Sequence, residues 1–128
     1  MKFTYPKAEK LKSKNTIDLL FSEGKSVGKY PLRLVYIEGD FGDSTPLKIG
    51  VSVSKKHFKL AVDRNYFKRV LRETYRLNKH LLLENIEKKY AIMFLYQSKD
   101  RLNYEEINTK TIQLFEKFLT AIKNEKHP

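Results

Sequence analysis

The chain has 128 residues, enough for one domain with a real core and too few for two ordinary ones. Its 26 Lys and Arg exceed 15 Asp and Glu for a net charge of +11, the footprint of a polyanion binder, and the absence of cysteine excludes disulfides, thiolate metal sites and a cysteine nucleophile. No run approaches the roughly 18 apolar residues that span a bilayer and no apolar segment follows the N-terminal charges, so membrane insertion and secretion are not expected and a reducing cytoplasm is.

The pattern predicts a single domain over 1–128 with flexible ends at about 1–8 and 122–128. In "NTIDLLFSEGKS", Ile17, Leu20 and Phe21 fall at helical spacing after the cap-competent Asn15 or Thr16, and Gly24 ends the run. Next, "YPLRLVYIE" alternates Leu32, Leu34 and Tyr36 against Arg33 and Val35. After "GDFGDSTP" the alternation resumes with Leu47, Ile49, Val51 and Val53, which predicts two strands joined by a hairpin-type loop. Asp40 and Asp43 in that loop read as turn residues, because "EGDFGDS" is not a full calcium motif. "YAIMFLYQ", residues 90–97, reads as their partner strand, buried on both faces.

Between these strands, Phe67, Val70, Leu71 and Thr74 make an apolar stripe at i, i+3, i+4 and i+7, with Asp63 as a possible cap and an end near Leu77. A last helix starts where Asn103 and Glu106 resemble a capping box, and Ile107, Ile112, Leu114, Phe115, Phe118 and Leu119 supply its apolar face. The expected fold is therefore α+β, a two-layer sandwich in which a small mixed sheet packs with helices in the order α-β-β-(β)-α-β-α.

The charge is concentrated. Residues 1–80 hold 18 basic and 8 acidic side chains, net +10, whereas residues 81–128 hold 8 and 7. Arg64, Asn65, Lys68, Arg69, Arg72 and Arg76 share the polar face of the central helix, where Glu73 alone offsets five cations. Like charges at i, i+4 cost about 0.2–0.5 kcal/mol each, and a polyanion partner removes that cost. Arginine forks fit phosphate, asparagine can read a base edge or a 2′-hydroxyl, and eight Tyr and eight Phe offer stacking surfaces of the kind that hold single-stranded RNA. No catalytic residue is expected: His57, His80 and His127 are scattered without partner spacing, and no acidic pair has a metal-binding pattern.

"LKIGVSVSKKHFKLAVDRNYFKRVLRETYR" strongly resembles the signature region of the bacterial ribonuclease P protein component, in which Ser-Val-Ser-Lys-Lys leads through Ala-Val and Arg-Asn-Arg to Lys-Arg and Arg-Glu. "KLKSKNTIDLLFSEGKS" and "YAIMFLYQSKDRLNYEEINTKTIQLFEKF" are similar to the family's N-terminal and C-terminal segments, so nearly the whole chain is covered. The resemblance implies an accessory subunit of a cytoplasmic ribonucleoprotein endonuclease. Its RNA subunit removes the 5′ leader of precursor tRNA by phosphodiester hydrolysis, using Mg2+ bound mainly by that RNA. It implies that Arg64, Asn65, Lys68, Arg69 and Arg72 face the catalytic RNA. It also implies that Lys55 and Lys56 border the leader path, and that Ile17, Phe21 and Tyr36 line a leader cleft between the first helix and the sheet. The strand-helix-strand crossover would be left-handed, where the general rule gives right-handed. Two positions depart from the pattern: Tyr66 stands where the family has the second arginine of Arg-Asn-Arg, and Ile17 where it usually has Phe. The competing readings are a general RNA-binding or ribosome-associated module on the same fold, which would not promote leader removal, and a stand-alone protein nuclease, which would need a carboxylate or histidine cluster.

Overall fold

After a 3₁₀ turn at Lys7–Glu9, the computed structural model, which describes residues 5–40 and 45–125, runs α1 (Lys14–Glu23), β1 (Lys25–Lys29), β2 (Leu32–Glu38), β3 (Leu47–Val53), α2 (Ala61–Leu83), β4 (Tyr90–Tyr96) and α3 (Tyr104–Glu125). All seven residues of β4 are buried. Such a strand must pair on both edges and be covered on both faces. β2 runs antiparallel along one edge, with Leu34 opposite Phe94, and β3 runs parallel along the other, with Ile49 opposite Ile92. β1 extends the sheet beyond β2, giving the order β1-β2-β4-β3.

The α+β sandwich and its mixed sheet are as the pattern predicts, but the expected β2–β3 hairpin does not form. β4 lies between the two strands, because its unbroken apolar character claims the central position. Within the expected turn, residues 41–44 lie outside the described residues. β1 was hidden by its composition: "KSVGK" has one apolar residue, Val27, which packs on the core while the others suit an exposed edge.

The sheet is covered unequally. One face carries Leu32, Leu34, Tyr36, Ile49, Ile92 and Phe94 against α2 and α3. The opposite face carries Val35, Ala91, Met93 and Leu95 beneath Leu11 and Leu20, with Ile17 partly buried. α1 alone spans that second face, and its N-cap is Ser13, whose Oγ accepts from the Thr16 backbone N–H, rather than Asn15 or Thr16. Its end is fixed by close approach: a Cβ on Gly24 would lie 2.3 Å from the Leu20 carbonyl oxygen and 3.0 Å from that of Tyr36.

α2 buries Phe67, Val70, Leu71 and Thr74 as expected, but continues to Leu83 because Tyr75, Asn78, Lys79 and Leu82 extend the buried stripe. Asp63 does not cap it. The N-cap is Leu60, and the Asp63 carboxylate instead pairs with Arg101 Nη1 at 3.1 Å. The Asn103–Glu106 capping box forms in both directions: each backbone N–H donates to the other's side chain, at 2.8 and 3.2 Å. Along α3, Ile107, Leu114, Phe115 and Phe118 are buried, while Ile112 and Leu119 are half-buried.

Within the ends expected to be flexible, 1–8 and 122–128, Ile122 is buried and α3 reaches Glu125, while residues 1–4 and 126–128 lie outside the described residues. At the other end, Tyr5 packs edge-on against Tyr75 with ring centroids 5.2 Å apart, and its hydroxyl donates to the Ile49 carbonyl. Glu9 is clamped from below: Tyr75 Oη donates to its carboxylate at 2.7 Å, and the buried Lys79 Nζ lies 3.1 Å from both oxygens. Burial pushes the Tyr5 hydroxyl up to about 12, partly opposed by the charge of Arg72.

Two outcomes are expected from these contacts. Gly24→Ala must displace α1 or β2 and should destabilise the fold by about 1–3 kcal/mol in urea titration, and a wild-type midpoint would show that the turn is not tight. Glu9→Ala leaves Lys79 buried without its carboxylate and should cost about 3 kcal/mol by the same measurement. An unchanged midpoint would remove this pair from the supports of the fold.

Candidate RNA interface

The apolar stripe of α2 fixes which way its cations point. With Phe67, Val70 and Leu71 against the sheet, Asn65, Arg69 and Arg72 are exposed and Lys68 is half-exposed. The six residues singled out on this helix do not form one uniform surface. Arg64 Nη1 donates to the carbonyls of Phe58 and Lys59, at 2.9 and 2.8 Å, and so ties the incoming loop to the helix. Arg76 forks onto Glu73, its Nε donating at 3.2 Å, and this lowers the Glu73 pKa and raises that of Arg76. The exposed centre of the face is therefore Asn65, Lys68, Arg69 and Arg72.

Tyr66 stands on the rim of this face, 41% exposed, with its ring edge-on to Phe67 at 5.0 Å. Phe67 stacks on Phe58 at 4.7 Å and tilts against Tyr96 at 4.6 Å. Arg101, from the loop between β4 and α3, lies over both phenylalanines, 5.3 Å from the Phe67 centroid and 5.8 Å from that of Phe58. A cation thus reaches the start of the helix from a different element. Sequence reading passed over Arg101, which is 38 residues beyond Asp63 and carries no local signal.

The second surface is the sheet face under α1. Ile17 is half-buried against this face, and Phe21, one turn further along α1, is 56% exposed. Tyr36 does not. Its ring packs between α3 and β4, 4.8 Å from Phe118 and 6.3 Å from Tyr90, and its hydroxyl donates to Glu125 Oε1 at 3.0 Å. Burial first, and then this carboxylate, raise its pKa strongly. The pleat explains the correction: adjacent strand residues face opposite ways, so it is Val35 that looks toward α1.

In register on that same face lie Gly28, Arg33, Leu95 and Ser52. Arg33 lies flat across Gly28 and donates from Nη1 to Ser26 Oγ at 2.9 Å, leaving a half-exposed guanidinium on the floor. Its alternation with Val35 was the available signal. Lys55 and Lys56 are exposed in the turn after β3, where Ser54 Oγ accepts from the Lys56 backbone N–H at 3.0 Å. The arrangement is an apolar and aromatic strip bordered by cations, suited to stacking bases and holding phosphates.

His57 lies in the turn after β3 and His80 on α2, whereas His127 falls outside the described residues. Among the described residues, no three His, Cys, Asp or Glu side chains gather as metal ligands, and no helix is long and apolar enough to cross a membrane.

The chain is similar to known proteins along most of its length. The family model for ribonuclease P matches residues 5–119. The ribonuclease P protein component of Porphyromonas gingivalis is 41% identical over 102 residues, covering 78% of this chain and 74% of that protein. The one from Dictyoglomus thermophilum is 33% identical over 115 residues, covering 90% and 92%. Among solved structures, the Staphylococcus aureus RNase P protein superposes with a TM-score of 0.69 at 22% identity, covering 86% of this chain and 94% of that one. The Thermotoga maritima protein gives 0.67 at 24% identity, covering 85% and 96%. With the family model matched from the anchored N-terminal segment through most of α3, the chain belongs to the ribonuclease P protein family.

Proposed function

We propose that this chain is the protein subunit of a ribonuclease P that matures tRNA 5′ ends in the cytoplasm. The observation that carries the reading is the α2 face, where Asn65, Lys68, Arg69 and Arg72 stand clear of the core in a member of this family. That face binds the catalytic RNA. The strip of Phe21, Ile17, Val35 and Arg33, with Lys55 and Lys56 at its border, holds the single-stranded leader of precursor tRNA.

Magnesium, when bound by the RNA, supplies the hydrolytic chemistry. Among the protein's described residues no three His, Cys, Asp or Glu side chains gather to hold that ion, and the reading assigns it to the RNA. What they contribute is charge neutralisation and orientation of the substrate. That contribution matters most at low magnesium, when less of the RNA's own repulsion is screened.

Mixing the protein with ribonuclease P RNA and a precursor tRNA at low magnesium should raise cleavage at the mature 5′ end sharply, with none when the RNA is left out. Cleavage by protein alone, or no effect of adding it, would refute the reading. Arg69→Ala and Arg72→Ala should each weaken binding to the catalytic RNA and lower the salt slope by about one. An unchanged slope would take those residues off the interface. Phe21→Ala should cost about 1–3 kcal/mol of leader affinity, measured as the difference between precursors with and without a leader. Tyr36→Phe should leave that difference alone while lowering thermal stability. The reverse result would put Tyr36 in the cleft after all.

A further inference from the structure

The N-terminal segment builds a second basic surface, separate from α2. Leu11 turns inward onto the sheet while its backbone N–H donates to the Ile49 carbonyl at 3.0 Å, so residues 10–11 run alongside β3 as a short outer strand. This leaves Lys10 and Lys12 pointing away from the core on either side of Leu11. Together with Lys7 from the 3₁₀ turn and Lys48 from β3, they line a groove of about 450 Å³ at the N-terminal end of α1.

Two features keep the groove basic. Glu9, the only carboxylate in residues 5–16, is turned to Lys79 and Tyr75 and is absent from the lining. The lysines are also held in place: Lys48 Nζ donates to the Ala8 carbonyl at 3.1 Å, and Lys10 Nζ lies 5.5 Å over the Tyr5 ring. Lys7, Lys10 and Lys12 converge from the N-terminal segment with Glu9 turned away from them, and an anion lying in the groove relieves their mutual repulsion.

The shape of the cluster selects the anion. Lysine is a point charge on a flexible stem, so the groove suits backbone phosphates in varied conformations, and among the described residues its lining holds no arginine fork or ring to read bases. It also continues the α1 strip. Leu11 and Thr16 line the groove, and Leu11 belongs to the same apolar cluster as Leu20, Met93 and Leu95 beneath the helix. A strand lying along α1, about 15 Å long, runs off its N-terminal end into the lysines.

We propose that this lysine groove is a sequence-independent phosphate site for the part of the precursor leader that extends beyond the α1 strip. The inference rests on the subunit reading above. The groove adds affinity only for leaders long enough to reach it.

The test uses holoenzyme assembled from ribonuclease P RNA and either the parent protein or Lys7→Gln/Lys12→Gln, both substitutions falling on exposed side chains. Binding is measured against salt for precursors with long and with truncated leaders. The variant should lose about five- to tenfold in affinity for the long leader, and its salt slope should fall by about 1.4, the single-strand value for two contacts. For the truncated leader and for the catalytic RNA alone, the change should stay below about twofold. Lys7→Arg/Lys12→Arg should restore the long-leader affinity. Equal losses for both leaders, or weaker binding of the catalytic RNA, would place the groove elsewhere and overturn the proposal. So would a variant that binds the long leader like its parent while the parent holoenzyme cleaves normally. A parent holoenzyme that cleaves no precursor overturns the subunit reading itself, and this inference with it.

Discussion

The demand of β4 for partners on both edges and cover on both faces determines where everything else goes. With β2 antiparallel on one side and β3 parallel on the other, the chain leaving β3 must cross over to reach β4, and α2 is that crossing. The helix is held by its apolar stripe, so its cations have only one direction left. The surface proposed to face RNA is thus a by-product of burying an apolar strand, and little of its geometry depends on the arginines themselves.

Charge placement follows a second logic. Where a cation has a structural task, a partner is present: Arg64 on loop carbonyls, Arg76 on Glu73, Arg101 on Asp63 and two aromatic rings, Lys79 on Glu9. Among the side chains proposed to meet RNA, Asn65, Arg69 and Arg72 project into solvent. Sorting the basic residues in this way separates internal braces from external grips, a distinction that composition cannot make. Each grip costs some stability through repulsion, and the braces help offset that cost.

Much of this was legible in the order of residues. The stripe of α2, the capping box of α3 and the double-sided burial of β4 all follow from periodicity, which is a local property. What periodicity could not give was pairing between distant segments. β2 and β3 looked like a hairpin because they are neighbours in the chain, and only the competition for β4 separates them. Tyr36 shows the same limit at the scale of one residue. Both it and Val35 are apolar enough to be buried, so alternation alone did not say which faces α1, and the answer came from which helix covers which side. Arg101 and the N-terminal lysines were invisible for a related reason, since their surroundings are assembled from remote parts of the chain.

The clamp on Glu9 has a consequence for the order in which the molecule is completed. Its partners Tyr75 and Lys79 lie 66 and 70 residues further along. Residues 5–12 are synthesised before these partners, so the clamp cannot close until most of α2 has followed, and closing so long a loop is slow relative to forming a helix. During that interval the lysines of this segment are held less firmly and are freer to meet any nearby RNA. Closing the clamp turns a loose basic segment into a fixed wall of the finished protein.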